Sequence, residues 1–304
     1  MIGKGFFSNP KKMKDTGFIL LFLAVPVANF LVFWLYVNFD SILLAFQIPQ
    51  SDGSIEWGLD NFRRFFSEFS GERSMGMLLL TALKNTMIFF FSNLFVVLPV
   101  SLLLCYFLYK KVAGYKAFRF IFYLPSIVSA SVYVVLFKYI IASNGPVGII
   151  FDAFGWDKIP YLTDSSYALS TILFYTIFTG FGGNIVLLSG AMSHIDESIL
   201  EAGKIDGVTM WRELISLVLP LVWPTLSTLI IFSFVGIFSA SGPILLFTEG
   251  AYGTMTISYW LYEQVQRYSV YYYPSAVGLF FTLIGTPIAL IMRRVLSRGT
   301  DIAD

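Results

Sequence analysis

Six long apolar runs decide what this chain can fold into. They lie near Gly17–Asn38, Asn85–Tyr109, Phe118–Ile141, Tyr167–Ser189, Leu217–Ser239 and Ser275–Met292. A helix rises about 1.5 Å per residue, so about 20 apolar residues cross the roughly 30 Å hydrocarbon core of a bilayer. The rest of the chain agrees: of its 304 residues 57% are hydrophobic and 13% charged, where a soluble domain carries about 25% charged. The expected fold class is therefore all-α: a polytopic membrane protein of six transmembrane helices forming one transmembrane domain over residues 1–304. Lysines precede the first run, but it is too long for the apolar core of a signal peptide and is expected to remain as an anchor.

Catalytic material is scarce. The single histidine, His194, and the single cysteine, Cys105, have no companions at metal-ligand or catalytic-triad spacing. There is no phosphate-cradling G-x-x-x-x-G-K-[ST] motif, so no ATP site is expected in this chain. Gly180-Phe181-Gly182-Gly183 is not a nucleotide fingerprint either; small residues inside an apolar helix permit close helix packing or an unwound turn. A net charge of +1 gives no basis for nucleic-acid binding.

Lys and Arg set the expected orientation. Lys4, Lys11, Lys12 and Lys14 precede the first run, Lys110, Lys111, Lys116 and Arg119 follow the second, and Arg293, Arg294 and Arg298 follow the sixth. With six spans all three groups fall on one side, the cytoplasmic one. The opposite connections are acidic or neutral, with Asp40, Asp52, Glu56, Asp60, Glu68 and Glu72 in one and Asp152, Asp157 and Asp164 in the other. Both termini are thus expected in the cytoplasm.

One segment breaks the apolar pattern. Between His194 and Ser216 stand Asp196, Glu197, Glu201, Asp206 and Glu213 with only Lys204 and Arg212 as strong bases. At roughly 2.5–3.5 kcal/mol per charge at a bilayer centre, seven charges cost on the order of 20 kcal/mol, so this island cannot span. Ser193, with Asp196 three residues on, has helix-start chemistry. Ile195, Ile199 and Ala202 fall at helical spacing and define an apolar face. Gly207 permits a turn of positive φ, and a second amphipathic piece with Trp211, Leu214 and Ile215 leads into Pro220 and Pro224. On these residues alone the island is either an interfacial helix that links two spans or a surface presented to a protein. Its poverty in Lys and Arg favours a protein over anionic lipid.

The spacing Glu201-Ala202-Gly203, then Gly207, then Leu217-Val218-Leu219-Pro220 resembles the EAA signature of ABC importer permeases, departing from it at Gly203, usually Ala, and Leu217, usually Ile. Asn85-Thr86, the run Phe118–Pro125 and the segment Leu187–Ser198 are similar to the sugar-permease branch, with Asp196 replacing its usual proline; the resemblance covers roughly residues 80–295. It implies a membrane subunit, not an enzyme, of an importer in the bacterial cytoplasmic membrane that carries a sugar or oligosaccharide inward. It implies a cytoplasmic coupling helix, with Glu201, Ala202, Gly203, Asp206 and Gly207 at the joint with an ATPase subunit. The other implied partners are a second related permease, an extracytoplasmic solute-binding protein and the surrounding lipid. ATP and magnesium belong to the ATPase, and no cofactor is expected in this chain.

A sugar path needs hydrogen-bonding groups and aromatic faces in an apolar pore. Thr176, Gly180 and Asn184 lie at helical spacing in the fourth run; Ser233, Ser239 and Ser241 lie along the fifth, with Gly236 making room. By the resemblance, Gly180 and Ser233 match sugar-binding positions of the maltose importer. Its asparagines are replaced by Thr176, Ile237 and Ala240, and a tyrosine by Gly183, so maltose is not the expected cargo. Two other readings remain open: a permease for another polar solute, and a membrane scaffold that uses the island without transport.

Overall fold

A computed structural model describes residues 10–69, 74–239 and 242–297. Six helical stretches are long and apolar enough to cross a membrane: Leu21–Leu44, Met75–Tyr109, Ala130–Phe154, Ala168–Ser193, Met210–Val235 and Tyr272–Ser297. The all-helical class and the count of six stand. Their limits differ from those expected, because a helix does not stop where the hydrocarbon does. The second begins at Ser74, eleven residues before Asn85, since Met, Leu and Ala favour helix and Lys84 lies exposed on it. The fifth ends at Val235, and Gly236–Ser239 form turns, so Ser239 lies beyond the helix that was expected to carry it.

The third run is broken. Helix Tyr115–Ile127 contains Pro125, which cannot donate to the carbonyl four residues back, and Val128 and Ser129 then extend with ψ of 143° and 133°. Helix Ala130–Ile141 resumes and a short helix, Pro146–Phe154, follows. The apolar stretch is therefore Ala130–Phe154 and not 118–141.

The described residues fall into two units. One comprises the residues up to Phe66 together with Val270–Leu279. It contains the first span, none of whose apolar window is buried, and a small antiparallel hairpin, Gln47–Pro49 with Ile55–Trp57. The hairpin is the one departure from pure helix among the described residues. Asn61 closes its base by donating to the carbonyls of Ala45 and Gln47 at 3.1 and 2.9 Å.

The other unit comprises Ser67–Ser269 and Phe280 onward. Its core is a continuous apolar cluster from the second, fourth and fifth spans, including Cys105, Tyr106, Ile185, Leu188, Val218 and Val222. Two glycines set how closely these helices approach. A Cβ on Gly182 would lie 2.9 Å from the Phe122 carbonyl oxygen, and one on Gly180 3.1 Å from Val97 Cγ1. The glycine-rich run in the fourth span is a packing device at these two positions, as its composition predicts. Gly183 faces open space.

Candidate functional site

The charged island folds as helix Glu197–Ile205, a left-handed turn at Gly207, and a second helix from Met210 that continues into the fifth span. Its N-cap is Asp196 and not Ser193: the Asp196 carboxylate accepts from the Ser198 N–H at 2.9 Å. That backbone bond, with the Ser198 hydroxyl, holds the Asp196 carboxyl below its usual range. Ser193 instead ends the preceding helix, donating to the Gly190 carbonyl. The C-terminus closes as predicted. Gly207 has φ of +70°, its N–H bonds the Lys204 carbonyl at 3.1 Å, and the Val208 N–H bonds the Gly203 carbonyl at 2.9 Å. This paired pattern satisfies the last carbonyls and requires the left-handed residue that glycine supplies without steric cost.

The buried face of the island is not the one the spacing indicates. Ile195, Leu200 and Leu214 enter the same core as the spans, and Gly203 is buried against Leu217. Ile199 and Ala202 point outward with Ile205, which is 86% exposed. Both faces carry apolar residues at i, i+3 spacing, so periodicity alone cannot rank them. Close packing does: a Cβ on Gly203 would lie 2.8 Å from Leu217 Cδ1. The two departures from the EAA signature are therefore in contact. The leucine methyl reaches toward the space an alanine methyl would take.

A buried ion pair fixes the island to the second span. The Lys110 ammonium donates to both Glu213 oxygens at 2.9 and 3.1 Å, and the Tyr106 hydroxyl lies 3.1 Å from Oε1. Glu213 is 4% exposed. Sequence reading counted Glu213 among the island acids but had no sign of its partner, which is 103 residues away. Beside it a polar cavity of about 440 Å³ opens between the second, third and fourth spans and the island helix. Lys111, Arg119, Glu197, Glu201 and Lys204 line it, and none of these five forms an ion pair among the described residues.

The residues expected along the substrate path converge on a second cavity of about 480 Å³. Thr176, Gly180, Asn184, Ser233, Gly236 and Ser239 all line it. Ser241 lies outside the described residues. The threonine and Ser233 also back-bond to Ile172 and Leu229, at 2.8 and 3.0 Å, and Asn184 to Gly180 at 3.3 Å. Back-bonding and cavity lining thus coexist at these side chains. Sequence reading missed the contribution of the second span: Phe89, Phe90, Ser92 and Asn93 form another wall. Asn93 donates to Ser233 Oγ at 3.0 Å.

At the other end of the second span, buried Asn85 donates to the carbonyls of Gly253 and Met255 at 2.7 and 2.8 Å. Thr86 accepts from the Ile257 N–H at 3.0 Å. These bonds hold a loop in which Glu249, Gly250, Tyr252 and Gly253 all have positive φ. Arg267 adds an ion pair to Glu249 and another to Glu263.

The chain resembles known proteins in sequence and in fold. The chain is 30% identical to the lactose transport system permease protein LacF of Rhizobium radiobacter over 265 residues, 82% of this chain and 83% of that one. It is 24% identical to the arabinooligosaccharides transport system permease protein AraP of Bacillus subtilis, covering 89% and 86%. Its fold matches a crystal structure of a bacterial ABC transporter that imports the acidic polysaccharide alginate, with a TM-score of 0.81 at 23% identity over 95% of this chain and 98% of that chain. The same fold is seen in that transporter bound to a periplasmic protein carrying an alginate pentasaccharide. Residues 88–302 match the model for the inner membrane component of binding-protein-dependent transport systems, and the chain belongs to that family.

Proposed function

We propose that this chain is the permease subunit of an ATP-driven importer that moves a sugar or oligosaccharide into the cytoplasm. One observation carries the drive mechanism. Helix Glu197–Ile205 is built into the core of the spans on one face, while its other face exposes Ile199, Ala202 and Ile205 beside charges that form no ion pair among the described residues. A rigid helix with an apolar outer stripe and free charges suits docking into a cleft of another protein. The partner is an ATPase subunit, which holds ATP and magnesium, and the joint comprises Glu201, Ala202, Gly203, Asp206 and Gly207. Because the helix shares its core with the spans, a shift of the partner moves the spans with it. A second related permease completes the pore, and a solute-binding protein loads it from the outer side, both termini lying in the cytoplasm.

The cargo reading rests on the second cavity and on the relatives. Its wall combines phenylalanine faces with hydroxyls and carboxamides, the groups that stack on and hydrogen-bond to sugars. The reading is tested by reconstituting the permease pair with its ATPase in vesicles. Ile205→Glu and Glu201→Lys are expected to reduce ATPase copurification and stop uptake. Ser239→Trp is expected to stop uptake with copurification intact, because Ser239 is an exposed turn residue of the cavity wall. Unchanged ATPase capture by both island variants would remove the docking role.

A further inference from the structure

We propose that Asn93 is a specificity-determining residue, through which the second span contacts the cargo, and that the cargo is an uncharged glycan. The proposal rests on the reading of the 480 Å³ cavity as the sugar path. Asn93 opens a π-turn, Asn93–Val97, in the middle of the second span. Such a turn inserts an extra residue into the helix, re-aims the side chains around it and is frequent at functional sites. Here Ser92 and Asn93, at the start of the turn, line the cavity together with Val97 at its far end, which is buried against Gly180.

A carboxamide in an apolar span is costly unless bonded. Asn93 makes one bond, from its amide to Ser233 Oγ, and among the described residues its carbonyl oxygen has no partner. Asn184 likewise spends its amide on Gly180 and leaves its oxygen without one. Two carboxamide acceptors and a displaceable N–H donor therefore face one space. A carboxamide offers a donor and an acceptor side by side, which matches the vicinal hydroxyls of a pyranose. The Asn93 amide can exchange Ser233 for a sugar hydroxyl without ever being left unbonded.

The same lining excludes charge. Among the described residues, no Lys, Arg, His, Asp or Glu walls this cavity. A carboxylate moved against so apolar a wall loses hydration with no cation in that wall to replace it, a cost that grows with every uronate unit. The fold shared with an alginate importer therefore does not extend to an acidic cargo in this chain.

The test uses the complete transporter, with both permeases and the ATPase, in lipid nanodiscs. Saturation-transfer NMR reports direct binding of lactose, maltotriose, raffinose and arabinotriose, with digalacturonate as the charged probe. At least one neutral sugar is expected to bind, and digalacturonate is not. Asn93→Leu should weaken the neutral sugar about tenfold, the loss expected for one or two hydrogen bonds. Asn93→Ser guards against misfolding. Its hydroxyl can back-bond to the carbonyl four residues back, as that of Ser233 does, so no charge and no unpaired group is buried, but it lacks the carboxamide and should weaken binding as well. Ser239→Trp, at an exposed turn position of the cavity wall, separates this claim from the one beneath it. If Ser239→Trp abolishes binding while both Asn93 variants bind like wild type, the path stands and Asn93 is no contact. If Ser239→Trp also leaves binding unchanged, the path itself is misplaced. Digalacturonate binding tighter than every neutral sugar, or no neutral sugar binding at all, would overturn the uncharged assignment.

Discussion

Lys110→Met is expected to be the most damaging single change at the joint between the island and the spans. It leaves the Glu213 carboxylate, 5% exposed by side chain, without its counter-ion. Removing one partner of a buried pair costs about 3–5 kcal/mol, most of it the penalty of an uncompensated charge. Two features of the site place this case at the low end. The Tyr106 hydroxyl stays 3.1 Å from Oε1, and the Lys110 side chain is itself 25% exposed, so the pair is not fully dry. We expect about 3 kcal/mol, roughly two orders of magnitude in the folding equilibrium. Glu213→Gln is expected to cost about 1 kcal/mol, because the lysine stem lets its ammonium reach water. The double variant Lys110→Met with Glu213→Met should cost less than Lys110→Met alone, since an apolar pair of similar volume avoids the buried charge. Equilibrium unfolding of the purified subunit in mixed micelles measures all three. Equal costs for the two single variants, or a double variant that simply adds them, would show that the charges do not depend on each other.

Other perturbations have signs fixed by the geometry. Gly203→Ala should cost little, because the atom its methyl meets at 2.8 Å, Leu217 Cδ1, is the rotatable end of a side chain; limited proteolysis at Gly207 reads it, and a marked acceleration would sink the idea. Gly182→Leu should displace helix Tyr115–Ile127, since the obstructing atom is the Phe122 carbonyl oxygen and cannot rotate away; cysteine cross-linking between this helix and the fourth span should fall, and an unchanged yield would count against it. Asn85→Ala removes the Asn85 donor from the buried Met255 carbonyl and from the Gly253 carbonyl and should cost about 1–3 kcal/mol, read as faster amide exchange over residues 249–257. The Asp196 cap contributes most when ionised. Its folded pKa lies below the unfolded one, so the contribution is complete above the unfolded value and disappears as pH falls through the folded value. Proteolysis of the island should therefore quicken on acidification, and Asp196→Asn should flatten that dependence.

Much of this was legible in the residues because bilayers and helix termini impose strict chemistry. Apolar length gave the six spans, and Gly207 marked the turn because few other residues accept φ of +70°. The cavity side chains of the fourth and fifth spans were found because polar groups in apolar helices are few. The failures share a cause. Which face of the island is buried, which helix Glu213 pairs with, and whether Asn93 faces lipid or a cavity all depend on what packs opposite. Gly203 and Leu217 read as two separate departures from a signature, yet the two positions meet in the fold, which their spacing does not reveal. Ser193 lost the cap to Asp196 because the preceding helix runs on through Ser193 before the chain turns.

The second span links the island to the cavity wall. Asn85, Asn93 and Lys110 lie along a single helical stretch, Met75–Tyr109 and its C-cap. At 1.5 Å per residue, Asn85 and Lys110 stand roughly 38 Å apart, about the thickness of a membrane. Asn85, eleven residues into the helix, fixes it to the strained loop, Lys110 fixes its C-terminal end to the island through Glu213, and Asn93 stands between them in the cavity wall. A helix pinned at two points transmits a displacement by bending or rotating between the pins. The π-turn Asn93–Val97 is where such a change is easiest, because its backbone bonds are already out of α-register. The fifth span carries its own π-turn, Leu214–Val218, directly after Glu213. A push on the island therefore reaches both walls of the Asn93–Ser233 contact. A small rotation at either turn would lengthen that 3.0 Å bond before it disturbed the apolar core, because packed cores resist deformation while one interhelical hydrogen bond contributes only about 0.6 kcal/mol.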